Sequence, residues 1–245
     1  MLSEQTIHKL NTMKLFGMAR SYDERRGSPE HADLSHDEFT GLIVDDEYQY
    51  RQNRRLSRLL VIAKLKISTA CLEDVDYRHP RGLIKTVFVN LHKTDWIDNH
   101  HNILITGPTG AGKTYLACAL GQFACRNVRT TRYFRWPRLF GDLMASRADG
   151  TYLKRLHALS KVDVLIIDDF GLNTLSDFDR KDFLEVIEDR YLSRSTIITS
   201  QLPLKNWHEY IGDSTVADAI CDRLFHIAHK FELKGGSMRQ NKKCD

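Results

Sequence analysis

Eight residues from Gly107 to Thr114 have the types and spacing of a phosphate-binding loop. They match the pattern G-x-x-x-x-G-K-[ST] in full, with an apolar segment before them and a helical pattern after them. Glycines let the backbone turn its N–H groups toward phosphate oxygens at a helix N-terminus. Lys113 would reach the β- and γ-phosphates of ATP, and the Thr114 hydroxyl would hold Mg²⁺. The predicted nucleotide-binding residues are Gly107, Pro108, Thr109, Gly110, Ala111, Gly112, Lys113 and Thr114.

Two adjacent acids follow a second apolar segment, residues 164–167. A buried strand has no structural need for two acids at its end, because both must be solvated or paired. A phosphate-binding loop that hydrolyses ATP also needs a carboxylate to hold the Mg²⁺ shell. We therefore assign Asp168 to Mg²⁺ and Asp169 to orienting the attacking water.

Three further polar side chains are candidates for the same chemistry. Gln201 follows the apolar segment 195–199, and we expect it between the loop strand and the Asp168 strand, close to the γ-phosphate. Arg223 and Arg239 lie near the C-terminus. Each arginine is either an ordinary surface residue or one supplied to a neighbouring subunit, which can raise hydrolysis about 10³- to 10⁵-fold.

The elements that position these residues alternate between short apolar runs and helical stretches. Predicted strands cover residues 102–106, 130–135, 162–167, 195–199 and 227–233, and a helix is predicted over 177–192. Such alternation is typical of a parallel sheet covered by helices on both faces. The predicted fold class is α/β, with a helical N-terminal domain over 1–70 and an ATP-binding domain over 71–245.

The helical N-terminal region carries a basic face. Ser35 and Glu38 have the spacing of a capping box, with Leu34 and Phe39 as a hydrophobic staple, and the helical pattern continues to about residue 66. No acid occurs between residues 47 and 73. Four arginines at helical spacing could follow the phosphates of duplex DNA, or form a solvated helix face: Arg51, Arg54, Arg55 and Arg58.

Composition adds little beyond this charge distribution. The 245 residues carry a formal net charge of +4, and no apolar run approaches the roughly 20 residues of a membrane helix. The N-terminus lacks the pattern of a signal peptide, and the five cysteines show no C-x-x-C pair. We expect a cytoplasmic, nucleoid-associated protein with reduced thiols.

These elements together resemble the AAA+ ATPases of the initiator and helicase-loader branch, and most of all the IstB-like ATP-binding proteins of bacterial insertion sequences. The resemblance covers nearly the whole chain and is carried, besides the phosphate-binding loop, by LFGMA (15–19), LEDVDY (72–77), DWI (95–97), LIIDDFGL (165–172), TSQLP (199–203), RL (223–224) and GSMR (236–239).

The resemblance implies roles for individual residues. Asp168 and Asp169 would form the Walker B pair, Gln201 would occupy sensor 1, Arg223 would be the arginine finger and Arg239 would lie near sensor 2. It also implies ATP-dependent oligomers on duplex DNA that recruit or activate a transposase. Most AAA+ ATPases have glutamate where this chain has Asp169, so we expect slow hydrolysis; we also expect a truncated lid.

Two other functions use the same motifs. A helicase-loader-type ATPase would grip a replicative helicase with its N-terminal helices, and an exposed apolar helix face would favour it. A small-molecule kinase with a phosphate-binding loop would not explain the basic N-terminal region. The arginine face favours DNA as the partner.

Overall fold

The computed structural model describes residues 2–28 and 34–238. The chain divides into two compact units, Met1–Arg58 and Leu59–Asp245. The N-terminal helices of the chain are α1 (Leu2–Thr12), α2 (Phe16–Arg25) and α3 (His36–Ala63), of which α3 continues across the boundary between the units.

The capping box predicted before α3 is confirmed. The Ser35 backbone N–H donates to Glu38 Oε2 at 2.9 Å, and the Glu38 backbone N–H donates to Ser35 Oγ at 3.3 Å. These bonds satisfy backbone donors that a helix N-terminus otherwise leaves unpaired. The helix ends at Ala63, because Lys64 adopts a left-handed conformation with φ 52°. The predicted hydrophobic staple stays a prediction.

The second unit is built around a parallel sheet. Its strands are β1 (Asn102–Thr106), β2 (Thr131–Arg135), β3 (Val164–Phe170), β4 (Ser195–Ser200) and β5 (Ala228–Glu232). Their order is β2-β3-β4-β1-β5, and every neighbouring pair is parallel. The predicted α/β class is confirmed, and four of the five predicted strands are matched to within one residue at either end.

Helices cover both faces of this sheet. They are α4 (Lys85–Val89), α5 (Asp95–Asp98), α6 (Lys113–Arg126), α7 (Trp136–Ala148), α8 (Tyr152–Lys161), α9 (Asp177–Arg190), α10 (Trp207–Ile211) and α11 (Ser214–Phe225). On one face α6 packs against β1, β3 and β4, and on the other face α7, α9, α10 and α11 form a second core. No described helix is long and apolar enough to cross a membrane.

The strand that carries the two acids differs from the prediction. β3 continues to Phe170, so Asp168 and Asp169 are residues of the strand and do not follow its end. Its pairing with β4 shifts register between Ile167 and Phe170, as at a β-bulge. The bulge gives the two adjacent carboxylates different surroundings.

Phe170 fixes this irregular strand end to the core. It is 1% exposed, and its ring centroid lies 4.5 Å from that of Trp136, 4.4 Å from that of Trp207 and 5.7 Å from that of Phe183. Aromatic packing of this kind adds to the free energy gained by burial.

We predict that Phe170→Ala lowers the free energy of unfolding by about 3–5 kcal/mol, because it removes a fully buried ring and leaves a cavity. Chemical denaturation monitored by circular dichroism measures this change. Phe178→Ala is the control, since Phe178 is 70% exposed and should change stability by no more than about 0.5 kcal/mol. Equal stability of the two variants would contradict the anchoring role.

Candidate ATP-binding site

The predicted phosphate-binding loop connects β1 to the N-terminus of α6. Gly110 and Gly112 have φ values of 85° and 91°, in the left-handed region that side chains rarely adopt. Gly112 immediately precedes α6, which begins at Lys113. The backbone N–H groups at this helix start have no intrahelical acceptor, so they favour a bound anion.

Lys113 folds back over its own loop. Its side chain is buried, and Nζ donates to the carbonyl oxygens of Gly107 at 2.8 Å and Pro108 at 2.9 Å. The ammonium group is therefore held inside the concave side of the loop. A phosphate group entering the loop would meet both this charge and the backbone donors.

Asp168 is a fully buried carboxylate surrounded by hydroxyl groups. Thr114 Oγ1 donates to it at 2.9 Å, Tyr133 OH at 2.6 Å and Thr199 Oγ1 at 2.5 Å, while Lys66 Nζ lies 3.8 Å away. Burial and the bond to Asp168 raise the pKa of Tyr133 far above its usual range, so this hydroxyl stays protonated and donates.

The predicted Mg²⁺ ligands therefore lie together. Thr114 and Asp168 come from different elements, yet their oxygen atoms are within hydrogen-bond distance of each other. Hydroxyl and carboxylate oxygens are the donors that Mg²⁺ prefers, and a phosphate-bound Mg²⁺ takes only one or two of them from the protein. The donor set fits this ion, and ATP would supply further oxygens.

Asp169 occupies a strained position beside the loop. Its φ of 64° is left-handed, which is costly for a residue with a side chain and recurs at functional sites. Its backbone N–H donates to Thr199 Oγ1 at 3.1 Å. Its carboxylate lies 3.2 Å from the Arg135 guanidinium, at the end of β2. The two neighbouring acids thus point into different environments, one buried and one at the pocket wall.

Gln201 lies where the sequence predicts, just past β4, between the strands that carry Asp168 and the loop. Its Oε1 accepts a hydrogen bond from Thr109 Oγ1 at 2.8 Å. A side-chain amide is thereby held at the rim of the phosphate-binding loop.

Lys113 and Thr114 of the loop line one pocket of about 900 Å³. Besides loop residues, its lining includes Asp169, Gln201 and Arg135 from the sheet edge, and Asp76, His79 and Arg81 from the segment before α4. The volume is within the range of small-molecule and cofactor sites.

The remaining predicted residues lie away from this pocket or outside the described residues. Arg223, near the end of α11, forms an ion pair with Glu188 at 2.6 Å and lines a different pocket. Arg239 lies outside the described residues. On α3, Arg51, Arg54, Arg55 and Arg58 are exposed, and Arg51 pairs with Glu47 at 2.6 Å.

Sequence reasoning missed several residues of the site. Thr199 donates to Asp168 from β4, but in the sequence it looks like an ordinary β-branched strand residue. Tyr133 on β2 is buried, and its hydroxyl also donates to Asp168, although a tyrosine in a predicted strand looks like an ordinary core residue. Arg135 and Arg81 could have been found only from their positive charge next to predicted elements of the nucleotide-binding domain, which is a weak indication of a phosphate contact.

A parallel sheet in this order, a phosphate-binding loop after β1 and paired acids on β3 define a P-loop ATPase fold of the AAA+ type. Among solved structures, the chain is similar to the DnaI crystal structure, with TM-score 0.58 and 23% identity over 74% of this chain and 92% of that one. It is also similar to the DnaC helicase loader, with TM-score 0.52 and 23% identity over 61% of this chain and 86% of that one.

Sequence comparison then gives the family. Residues 8–245 match the family described as IstB-like ATP binding protein, and the chain belongs to it. A Sinorhizobium fredii protein named as an insertion sequence ATP-binding protein is 50% identical over 99% of both chains. A Pseudomonas fluorescens protein named as an ATP-binding protein of insertion sequence IS1162 is 48% identical over 83% of this chain and 88% of its own. ATP binding is thus the family's shared property.

We predict that Lys113→Ala weakens ATP binding by about 100-fold, because it removes a charge-assisted contact to the phosphates. Isothermal titration calorimetry with ATP measures the dissociation constant. Lys181→Ala, which removes an exposed lysine of α9, is the control and should bind as the parent does. Parent-like affinity in the Lys113 variant would remove this lysine from the site.

Proposed function

We propose that this protein is an ATPase that helps DNA transposition in the bacterial cytosol, at the nucleoid. In this proposal it assembles with ATP into oligomers on duplex DNA and recruits or stimulates a transposase. The observation that carries it is the convergence of Lys113, Thr114, Asp169 and Gln201 on one pocket, with Asp168 hydrogen-bonded to Thr114. The names of the relatives, which combine an insertion sequence with ATP binding, support it.

In the proposed ATP hydrolysis each of these residues has its own role. ATP would supply the γ-phosphoryl group, and a bound Mg²⁺ would neutralise part of its charge. Lys113 and the N–H groups of the loop would hold the phosphates, and Thr114 with Asp168 would hold the metal ion. Gln201 is held by Thr109 at the rim, where it can contact the γ-phosphate. Asp169 accepts a hydrogen bond from the attacking water and so orients it.

Two features of Asp169 support slow turnover. Aspartate is one methylene shorter than the glutamate common in AAA+ ATPases, so its carboxylate reaches less far toward the water. Arg135 also pairs with one oxygen of that carboxylate, which leaves only the other oxygen for a water molecule. We propose that DNA or neighbouring subunits stimulate this slow hydrolysis.

The arginine face of α3 supports DNA as the partner. Arg54, Arg55 and Arg58 are exposed on the helix, and no ion pair is recorded for them among the described residues. Exposed guanidinium groups in a row bind phosphates without sequence preference. The face therefore supports binding to duplex DNA without sequence-specific base contacts.

A helicase-loader-type function is the second candidate. The fold likeness to DnaI and the DnaC helicase loader is one reason. The other is on α3 itself, where Val44 is 48% exposed and Tyr48 is 59% exposed. Such side chains would suit a protein partner, so a direct test of DNA binding separates the two functions.

We predict ATP-dependent binding to long duplex DNA that weakens with salt. A variant with Arg54→Ala, Arg55→Ala and Arg58→Ala should bind more weakly, with a log–log salt slope smaller by about three, since about three phosphate contacts are lost. Gel shifts with ATP, with ADP and without nucleotide measure this.

The control for this experiment removes the same charge elsewhere, with Lys154→Ala, Arg155→Ala and Lys161→Ala in α8, where all three are exposed. It should bind as the parent does. Equal loss in both triple variants would argue against the arginine face. Binding that does not prefer duplex DNA, or no binding under any nucleotide condition, would argue for the helicase-loader function.

We predict that Arg223→Ala keeps ATP affinity but slows ATP hydrolysis, because the arginine acts on the nucleotide of a neighbouring subunit. Phosphate release at saturating ATP and DNA measures the rate. An arginine of this kind contributes about 10³- to 10⁵-fold. Glu188→Gln, which keeps Arg223 but removes its acidic partner, should retain hydrolysis. Parent-like hydrolysis by Arg223→Ala would exclude the arginine-finger role.

A further inference from the structure

Arg81 is a buried cation in the wall of the ATP pocket. It is 2% exposed, and it lines the pocket together with His79 and Gly112. Within residues 2–28 and 34–238, no carboxylate lies within 4.0 Å of its guanidinium group. The acid nearest in sequence, Asp76, instead has its carboxylate 3.7 Å from the exposed Arg78. A buried charge without an opposite charge is costly, so an arginine of this kind calls for a reason.

The contacts of Arg81 are neutral ones. Nη1 donates to the Ala111 carbonyl at 3.1 Å and lies 3.1 Å from Met238 Sδ, and Nη2 donates to the Asp76 carbonyl at 3.0 Å. Its Nε is buried and has no hydrogen-bond partner among the described residues. Burial lowers the pKa of Arg81 below its ordinary value. The positive charge is thus only partly offset by the protein around it.

The position of this charge is against the phosphate-binding loop. A Cβ placed on Gly112 would lie 2.4 Å from Nη1, so the guanidinium touches the backbone of the loop. His79 Nδ1, in the same pocket, is a second buried nitrogen without a described partner. Two residues with an unsatisfied buried nitrogen, one of them carrying a charge that is only partly offset, therefore line the pocket beside the phosphate-binding loop.

We propose that Arg81 is a nucleotide-binding residue whose positive charge is offset by the phosphate groups of bound ATP. The proposal rests on ATP binding alone and does not need hydrolysis or DNA. In the pocket, where water is partly excluded, the attraction between guanidinium and phosphate is stronger than in bulk water. The same side chain holds the loop at Ala111, so it also fixes the loop for the nucleotide.

The experiment compares three variants by calorimetric titration of ATP at several salt concentrations. Arg81→Met should weaken binding about 10- to 100-fold, as expected for losing a charged hydrogen-bonding partner. Arg81→Lys keeps the charge and should recover most of the affinity. The affinity of Arg81→Met should also fall less steeply with salt than that of the parent, because one charge interaction is missing.

Arg78→Met is the matched control, since the Arg78 side chain is 98% exposed on the same segment, and it should bind ATP as the parent does. Thermal melting verifies that each variant folds, and Arg81→Gln replaces Arg81→Met if the latter does not. The proposal would be overturned by unchanged ATP affinity in Arg81→Met, by no recovery of affinity in Arg81→Lys, or by an unchanged salt slope. Arg81 would then have only a structural role. Failure of DNA assembly would not alter these titrations, so the two failures are distinguishable.

Discussion

The structure depends on one buried carboxylate, that of Asp168. An ionised group at zero exposure is tolerated only where donors surround it. Here the donors come from three separate elements: Thr114 at the start of α6, Tyr133 on β2 and Thr199 on β4. They can meet only because β3 lies between β2 and β4 and because α6 starts at the same edge. The site therefore requires this strand order, because a different order would leave the Asp168 carboxylate without these donors.

The bulge in β3 separates the roles of two neighbouring acids. In a regular strand, consecutive side chains point to opposite faces, which would direct one acid into a helix-covered core. The left-handed backbone of Asp169 instead turns it toward the pocket and Arg135, while Phe170 returns to the aromatic cluster. The packing energy of that cluster holds a strained residue that would relax if the strand end were free.

The sequence could predict what is encoded locally. The glycine loop, the apolar strands and the Ser35 cap each have a short pattern, and all three are found. The partners of Asp168 could not be predicted in this way, because Thr199 and Tyr133 have the same residue types that any buried strand would use. Their roles depend on which strands become neighbours. The end of β3 was also missed, since a bulge leaves no mark in hydrophobic periodicity.

If Thr114 and Asp168 hold Mg²⁺ as proposed, the charges around the pocket would make metal binding and nucleotide binding depend on each other. ATP without a metal would bring its phosphates toward the Asp168 and Asp169 carboxylates, and repulsion would offset part of the attraction of Lys113. A metal ion without ATP would have Thr114 and Asp168 as its proposed protein ligands and would have to fill its other positions with water. Bound together, they satisfy both the carboxylates and the cations of the loop. We therefore expect the pocket to favour a Mg²⁺–ATP complex over either component alone.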